Sequence, residues 1–220
     1  MVALKTPEDR TLLPLWLTWA RELQAIAQTG LTFSKDEYDC ERYQAVRSLA
    51  ARIMAAHSDI EIEQVEALFA GQAGYATPKV DVRGAVFRDD GGLLLVRETA
   101  DAGRWTLPGG WADVNEPPSQ CVIREVREES GFEVSVLKLA AIYDRDMHGH
   151  VPPHAFHVYK LFFICKITGG IAQPGLETSE VDFFAIDKLP ADLSLGRIQL
   201  NQLNRMFEHW RSPGLPTEFD

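Results

Sequence analysis

The first 70 residues carry apolar side chains at helical spacing. They recur three and four positions apart in two long runs and in one short run over residues 60–69, which predicts three amphipathic helices. Thr6-Pro7-Glu8-Asp9 has the form of a helix start and Ser34-Lys35-Asp36-Glu37 that of a capping box, so these segments are predicted to open the first two helices. The first helix is predicted to end at Gly30, and a hinge is predicted at Gly71, Gly74 and Pro78.

After the hinge the pattern changes to alternating positions and short apolar runs, which are typical of strands. Strands are predicted over residues 80–87, 93–96, 134–143, 155–167 and 183–185, with a short extended piece at 105–107. Helices are predicted over residues 117–130 and 197–210. This order of elements predicts a mixed α/β (α+β) domain over residues 78–220, preceded by a small all-α domain over residues 1–72.

The two long predicted helices carry more apolar surface than one short helix can cover. One stripe contains Leu12, Leu15, Trp16, Trp19 and Leu23, and the other contains Tyr38, Tyr43, Val46, Leu49 and Ile53. A large apolar patch usually marks an interface, and a two-fold dimer is the commonest arrangement. We therefore predict that residues 1–72 form a dimerisation domain, so that the protein is a homodimer. The alternative is that both stripes pack on the protein's own sheet.

Composition and charge narrow the classes of partner. The 220 residues are 45% hydrophobic and 25% charged, with a formal net charge of -10 and a pI near 5.1. This acidic balance argues against binding a nucleic-acid backbone, so no DNA partner is expected. The three cysteines form no CxxC pair and are predicted to be reduced thiols. The sequence shows neither an apolar run of about 18 residues nor a signal peptide, so we expect no membrane association and a cytoplasmic location.

One segment, residues 109–132, contains an unusual concentration of carboxylates. Glu125, Glu128 and Glu129 stand at positions i, i+3 and i+4, so on a helix they share one face. Three carboxylates on one face offer the hard oxygen ligands that Mg²⁺ or Mn²⁺ prefers, and Glu116 just before the helix could join them. A bound cation would compensate the repulsion among these charges, and its usual partner in such sites is a phosphate group.

Two neighbouring features of this segment suit a phosphate-containing ligand. Arg124 lies one residue off the acidic face, where it can bond a carboxylate or backbone carbonyls and hold the preceding loop. Gly109 and Gly110 allow the backbone to pass close to a ligand or to adopt a positive φ. The segment therefore predicts a metal site that acts on a phosphate group.

The spacing of these residues resembles the Nudix box. Gly110, five residues, Glu116, seven residues and then the run REVREESGF (residues 124–132) match it at every defined position. The resemblance implies a Nudix fold, which is a mixed β-sheet flanked by helices, and hydrolysis of a nucleoside diphosphate linked to another moiety with a divalent metal. It also implies site residues: Glu125, Glu128, Glu129 and Glu116 for the metal, and Glu125, Glu128 and Arg124 for catalysis.

Segments outside the box resemble one bacterial Nudix subfamily with a helical N-terminal domain. They include GYATPKVDVRG, WTLPGGWADV, YDRDMHGH and GLETSEVDFFAIDKLPADLS. The subfamily includes CDP-choline pyrophosphatases, and its members often carry the label ADP-ribose pyrophosphatase. The resemblance thus implies CDP-choline as the favoured substrate, giving CMP and phosphocholine. The alternative substrate is ADP-ribose, giving AMP and ribose 5-phosphate.

Residues outside the box are candidates for proton transfer and substrate contact. In several Nudix hydrolases a loop glutamate is the general base, and Glu177 is predicted for this role, with Glu180 as the other candidate in the same loop. The irregular spacing of the histidines at positions 148–157 argues against a zinc site. Candidate substrate contacts are Arg83 for phosphate, Trp111 and Tyr143 for a base or an ammonium group, and Asp144 and Gly110. Core packing is the alternative for the aromatic residues.

Two other classes of function remain open from the sequence. A nucleotide-sensing regulator would carry a basic DNA-binding module, whereas residues 1–70 hold seven Lys or Arg against eleven Asp or Glu. A scaffold without activity is the other class, and metal-dependent cleavage of a phosphate bond would exclude it.

Overall fold

The computed structural model describes residues 13–220, which divide into two compact units. One unit contains the residues up to Pro78 together with Pro153–His157, and the other contains Lys79–Pro152 and Val158–Asp220. The predicted helix start at residues 6–9 and Leu12 of the first stripe lie outside the described residues. The short segment Pro153–His157 groups with the helical unit, and the domain boundaries 1–72 and 78–220 stay predictions.

The helical unit consists of α1 (Leu15–Phe33), α2 (Glu37–Ala56) and α3 (Ile62–Ala70). Asp36 caps α2, because its side chain accepts the backbone N–H of Asp39 at 3.1 Å. The predicted capping box from Ser34 is therefore wrong by two positions. The small core of this unit contains Leu17, Ala20, Ala50, Ala51, Met54, Val65 and Phe69.

Gly30 has a packing role inside α1. The helix continues past it to Phe33, so the prediction that Gly30 ends the helix is wrong. A Cβ atom at position 30 would lie 2.4 Å from the Tyr43 ring of α2. The glycine therefore allows the two helices to approach closely, which the spacing along one helix cannot reveal.

The second unit is built on a mixed seven-stranded sheet. Its strands are β1 (Lys79–Phe87), β2 (Leu93–Glu98), β3 (Arg104–Thr106), β4 (Phe132–Asp144), β5 (Val158–Gly170), β6 (Thr178–Phe184) and β7 (Glu218–Phe219). They follow the order β3-β2-β1-β5-β4-β7, and β6 pairs with β2. β1 and β5 are parallel, whereas β2 pairs antiparallel with β1 and β4 with β5. The predicted mixed α/β class is confirmed.

Two helices cover opposite faces of this sheet. α4 (Pro118–Ser130) packs Val122 and Val126 against one face, and α5 (Leu200–Arg211) packs Met206 and Phe207 against the other. A Cβ at Gly84 of β1 would lie 2.7 Å from Val126, so this glycine lets α4 lie close to the strand. Among the described helices, none is long and apolar enough to cross a lipid bilayer.

Candidate active site

The loop that joins β3 to α4 runs directly along strand β1. The N–H of Gly84 donates to the Pro108 carbonyl at 2.9 Å, and the N–H of Val82 donates to the Gly110 carbonyl at 2.8 Å. Gly109 between them has φ +139°, and a Cβ there would lie 2.1 Å from the Val82 carbonyl oxygen. Only glycine fits this approach, so the backbone of the loop is held against the strand.

Two carboxylates of α4 lie against this glycine pair. The Gly109 N–H donates to Glu129 Oε2 at 2.9 Å, and a Cβ at Gly110 would lie 3.0 Å from Glu125 Oε2. Glu129 is 5% exposed, and burial raises its pKa to about 8 against the opposing effect of Arg83. Burial also raises the pKa of Glu125. Glu128 on the same helix is exposed.

Arg124 is the cation at the centre of the acidic cluster. Its guanidinium donates to Glu116 at 3.0 Å, to Glu125 at 2.8 Å and to Glu128 at 3.1 Å. It also donates to Asp113 at 2.9 Å, an acid that the sequence reasoning missed. The bond to Glu116, followed by those to the other acids, raises the pKa of Arg124 above its ordinary value. In this structure the single positive charge of Arg124 offsets part of the negative charge of these four acids.

The donor set of α4 fits a hard divalent cation. Glu125, Glu128 and Glu129 offer carboxylate oxygens from successive turns, which is the ligand type that Mg²⁺ and Mn²⁺ prefer. Burial is the main reason that the pKa values of Glu125 and Glu129 are raised, and the negative charges of Glu128 and Glu125, respectively, add to the effect. The type of ligand that these residues offer therefore suits the predicted metal.

The loop before β6 packs on the last turn of α4. The Thr178 hydroxyl donates to the Glu129 carbonyl at 2.7 Å and accepts the N–H of Gly175 at 2.9 Å. A Cβ at Gly175 would lie 1.9 Å from the Glu128 carbonyl oxygen, so the close approach requires glycine. The predicted base Glu177 is exposed within this loop. Glu177 therefore lies between two residues, Gly175 and Thr178, that contact the last turn of α4 at Glu128 and Glu129.

Family comparisons agree with this geometry. Residues 77–203 match the NUDIX domain model, which covers more than half of the chain. The chain belongs to the Nudix family. It is a Nudix pyrophosphohydrolase, and α4 is its Nudix helix. Residues 14–69 match a second model, described as the UDP-X-like, N-terminal oligomerisation domain.

Similar proteins span both parts of the chain. The Bacillus subtilis (strain 168) protein YjhB, which carries the provisional name ADP-ribose pyrophosphatase, is 44% identical over 205 residues, or 93% of this chain and 97% of YjhB. A crystal structure of a UDP-X diphosphatase is 33% identical with a TM-score of 0.59, covering 93% of this chain and 98% of that chain. A crystal structure of an ADP-ribose pyrophosphatase from Streptococcus suis 89-1591 is 40% identical with a TM-score of 0.58, covering 66% of this chain and 100% of that chain. The predicted family and its fold, a helical domain followed by a Nudix domain, are confirmed.

Arg83, predicted to contact phosphate, is held in an ion pair beside the loop between β3 and α4 (residues 107–117), which we call the Nudix loop. Its Nε and Nη2 donate to the two carboxylate oxygens of Asp81 at 3.0 and 2.7 Å, and its Nη1 donates to the Leu107 carbonyl at 3.1 Å. Lys160 of β5 donates to Asp81 at 2.6 Å. We call Asp81, Arg83 and Lys160 the buried trio. The sequence reasoning missed Asp81 and Lys160, although the alternation of Asp81 and Arg83 on one strand face was a usable signal.

The charges of the buried trio interact with each other and with Glu129 of the Nudix helix. Burial lowers the pKa of Lys160 to about 8. Burial would raise the pKa of Asp81, but its two cations outweigh that effect and hold this pKa at about 2. Burial lowers the pKa of Arg83, but Asp81, followed by Glu129 and Glu98, raises it above its ordinary value. Glu98 is a buried acid of β2 that the sequence reasoning also missed.

Glu177 lies in the loop before β6, whereas Glu180, predicted in the same loop, lies within β6. Glu180 is paired with Arg97 Nε at 2.8 Å, and the same guanidinium lies 4.8 Å from the centre of the Trp105 ring. Glu180 is therefore engaged in an ion pair on β6. Glu177 therefore stays the predicted base.

The aromatic candidates lie in contrasting environments. Trp111 directly follows Gly110 and is 51% exposed. Tyr143 is 5% exposed, and its hydroxyl donates to Glu218 of β7 at 2.6 Å. Tyr143 is thus packed in the core, as in the alternative interpretation of the aromatic residues. Trp111 is instead an exposed side chain next to the glycine pair.

Asp144 and the histidines that follow it make local bonds. The Asp144 carboxylate accepts the Asp146 N–H at 3.0 Å, as a cap of the short turn that follows β4. His148 Nε2 lies 3.0 Å from the Asp220 carboxylate, and His150 Nδ1 lies 3.1 Å from the Leu195 carbonyl. A substrate contact by Asp144 stays a prediction.

Proposed function

We propose that this Nudix protein hydrolyses the diphosphate bond of a nucleoside diphosphate linked to a second moiety, with Mg²⁺ or Mn²⁺ held by Glu125, Glu128 and Glu129. The observation that carries the proposal is the position of two carboxylates, the partly buried Glu125 and the buried Glu129, against the glycine pair of the Nudix loop. Glu116 belongs to the same cluster through Arg124. Such a face can place a phosphate group next to a hard cation.

The residues of the chain have separate tasks in this proposal. A bound divalent cation supplies charge stabilisation for the phosphoryl group and lowers the pKa of the attacking water. Arg124 spaces the carboxylates of the cluster, and the Gly109 N–H fixes the direction of the Glu129 side chain. Glu177 accepts a proton from water that attacks one phosphorus in line, which requires that the loop before β6 bring its carboxylate within hydrogen-bond reach.

Two substrates follow from different observations. The sequence segments outside the box favour CDP-choline, which with water gives CMP and phosphocholine. ADP-ribose, which gives AMP and ribose 5-phosphate, is supported by the names of the Bacillus subtilis and Streptococcus suis relatives. For CDP-choline, the exposed Trp111 ring beside Gly110 offers a face for the choline ammonium group, worth roughly 0.5 to 2 kcal/mol.

A substrate panel tests the proposal. The protein is incubated with CDP-choline, ADP-ribose or a UDP-sugar in the presence of Mg²⁺ or Mn²⁺, and the products are separated by chromatography. We expect cleavage only with metal, and faster cleavage of CDP-choline than of ADP-ribose. Faster cleavage of ADP-ribose than of CDP-choline would change the proposed substrate but leave the proposed reaction unchanged. Absence of metal-dependent cleavage across the panel would contradict the proposed function.

We also propose that the protein is a homodimer through the helical unit. α1 buries Leu17, Ala20, Gln24 and Ala27 within that unit. Its other face leaves large apolar side chains exposed: Leu15, Trp19, Ile26 and Phe33. The match to an oligomerisation domain over residues 14–69 supports a role for this face. The cytoplasmic location and the lack of a DNA partner stay predictions from the sequence.

A further inference from the structure

The buried trio is a polar exception on an apolar face of the sheet. Asp81 and Arg83 alternate along β1, and Lys160 is the direct partner of Asp81 on the parallel strand β5. The three residues are 5%, 4% and 2% exposed. The neighbouring positions on the same face are apolar and belong to the core under α5: Ala85, Phe87, Phe162 and Ile164.

One bond leads from the buried trio to the Nudix loop. Asp81 Oδ1 accepts from Arg83 Nε and Lys160 Nζ, and Asp81 Oδ2 accepts from Arg83 Nη2. Because this two-point contact fixes the plane of the guanidinium, it also fixes the direction of Arg83 Nη1. That nitrogen donates to the Leu107 carbonyl at 3.1 Å.

Leu107 stands at the start of the loop that meets Glu129. Two residues later, the Gly109 N–H donates to the Glu129 carboxylate. The backbone of β1 holds the rest of the loop through Pro108 and Gly110. The side chain of Arg83 therefore anchors the first residue of a loop whose third residue sets the direction of Glu129.

Stability alone does not require this arrangement. Two cations share one carboxylate in a buried place, and apolar residues of similar volume are often at least as stable as a buried ion pair. Directed bonds between charged groups, in contrast, restrict position and orientation. We propose that the buried trio is a positioning unit, which places Leu107 and, through Gly109, the carboxylate of Glu129. This inference rests on the proposed function, because that function assigns Glu129 to the metal.

Hydrogen exchange tests the positioning role without substrate or metal. Arg83→Lys keeps the charge but removes the two-point contact and the bond to Leu107. We expect the backbone amides within residues 107–112, apart from Pro108, which has none, to exchange on the order of tenfold faster in this variant, as local opening becomes easier. We also expect kcat to fall by about 10- to 100-fold with little change in KM, since a small displacement of a reacting group is costly.

The chain offers a matched control in Arg88→Lys. Arg88 donates through Nε and Nη2 to Asp90 at 2.9 and 2.6 Å, with the same two-residue separation as in the buried pair. This pair is exposed at the turn between β1 and β2. Arg88→Lys should leave both kcat and the exchange of residues 107–112 unchanged. A change equal to that of Arg83→Lys would contradict the inference.

A second variant covers the case in which Arg83 contacts the substrate directly. Asp81→Asn combined with Lys160→Met preserves the net charge of the trio and leaves Arg83 in place without the charged two-point contact that orients it. A positioning unit predicts faster exchange over residues 107–112 and a lower kcat here too. Normal exchange and kcat in this double variant, with a raised KM in Arg83→Lys, would overturn the inference in favour of direct binding.

Two further outcomes separate the possible failures. An equal rise in exchange over the whole sheet unit would show that the trio only stabilises the fold, and would overturn the inference. A wild-type protein without metal-dependent cleavage would contradict the proposed function, while the exchange experiment would still decide the role of the trio.

Discussion

The backbone N–H of Gly109 donates to a carboxylate oxygen of Glu129 over 2.9 Å, across 20 positions of the chain. The bond joins the loop after β3 to the last turn of the Nudix helix. The bond requires the backbone at Gly109 to lie very close to β1. Any residue with a Cβ would be excluded there, because that atom would lie 2.1 Å from the Val82 carbonyl oxygen. The orientation of the buried Glu129 carboxylate thus depends on a glycine at position 109.

Gly109→Ala should damage both the fold and the activity. The new Cβ would overlap the Val82 carbonyl at a φ of +139°, and a residue in such a conformation costs about 1–3 kcal/mol before any overlap is counted. We expect a loss of at least that size in the free energy of unfolding, measured with urea, together with a loss of turnover. Gly214→Ala is the control, because a Cβ at that position meets nothing within 4 Å. Normal stability of the Gly109→Ala variant would show that the loop can move away from β1.

Glu128→Gln and Glu129→Gln should each lower turnover by on the order of 10²-fold or more, because metal-mediated charge stabilisation is worth several kcal/mol. The fold should survive, since Glu128→Gln removes a like charge from the cluster and Glu129→Gln keeps an acceptor oxygen for the Gly109 N–H. Steady-state kinetics with Mg²⁺ or Mn²⁺ and thermal melting are the measurements. Glu133→Gln, at an exposed position of β4, is the matched control. Near-normal turnover of both Nudix-helix variants would refute the metal assignment.

The box itself was predictable because its geometry is local. Glu125, Glu128 and Glu129 share a helical face through spacing alone, and Gly110 and Glu116 lie at fixed offsets from them. The contact between Asp81 and Lys160 was not predictable, because it joins residues 79 positions apart through the register of two parallel strands. Gly30 was misread for the same reason, since its role depends on Tyr43 of another helix.

His150 should make the protein less stable as the pH falls below about 6.5. Burial, with the nearby cations Lys160 and Arg145, lowers the pKa of His150 from 6.5 to about 3. Between these values the unfolded chain binds a proton that the folded protein excludes, so the free energy of unfolding decreases with falling pH. For one proton the slope is about 1.4 kcal/mol per pH unit. The slope is measured by urea unfolding between pH 4 and pH 6.

His150→Asn can keep a donor toward the Leu195 carbonyl while removing the titrating ring. The free energy of unfolding of this variant should therefore depend less steeply on pH over the same range. The difference in slope should correspond to the uptake of about one proton fewer on unfolding. Identical slopes in the variant and the wild type would show that His150 does not take part in this acid sensitivity.

Trp111 should distinguish between the two substrates. Trp111→Leu removes the exposed ring beside Gly110 and should raise KM for CDP-choline by about 2- to 30-fold, which corresponds to roughly 0.5 to 2 kcal/mol. KM for ADP-ribose, which has no ammonium group, should change less, and Trp111→Phe should restore part of the loss because it keeps an aromatic face. Equal increases for both substrates would mean that Trp111 does not recognise choline.

The exposed face of α1 should form the dimer contact. Trp19 and Ile26 are 54% and 56% exposed on that helix, whereas Trp16 stacks on His57 within the helical unit at 4.9 Å and is better left unchanged. Light scattering at micromolar concentration should give about twice the single-chain mass of 24.6 kDa. Trp19→Ser combined with Ile26→Ser should shift the mass toward one chain, because apolar burial drives such contacts. Ile171→Ser, an equally polar change at an exposed site of the other unit, should keep the dimer.

The activity of the dimer variant decides whether the site depends on the partner copy. If the second chain helps to shape the active site, Trp19→Ser with Ile26→Ser should lower turnover in proportion to the fraction of single chains, and raising the protein concentration should restore both mass and turnover. A wild-type mass of 24.6 kDa would refute the dimer. A single-chain variant with full turnover would show instead that the dimer exists but that each site is complete within one chain.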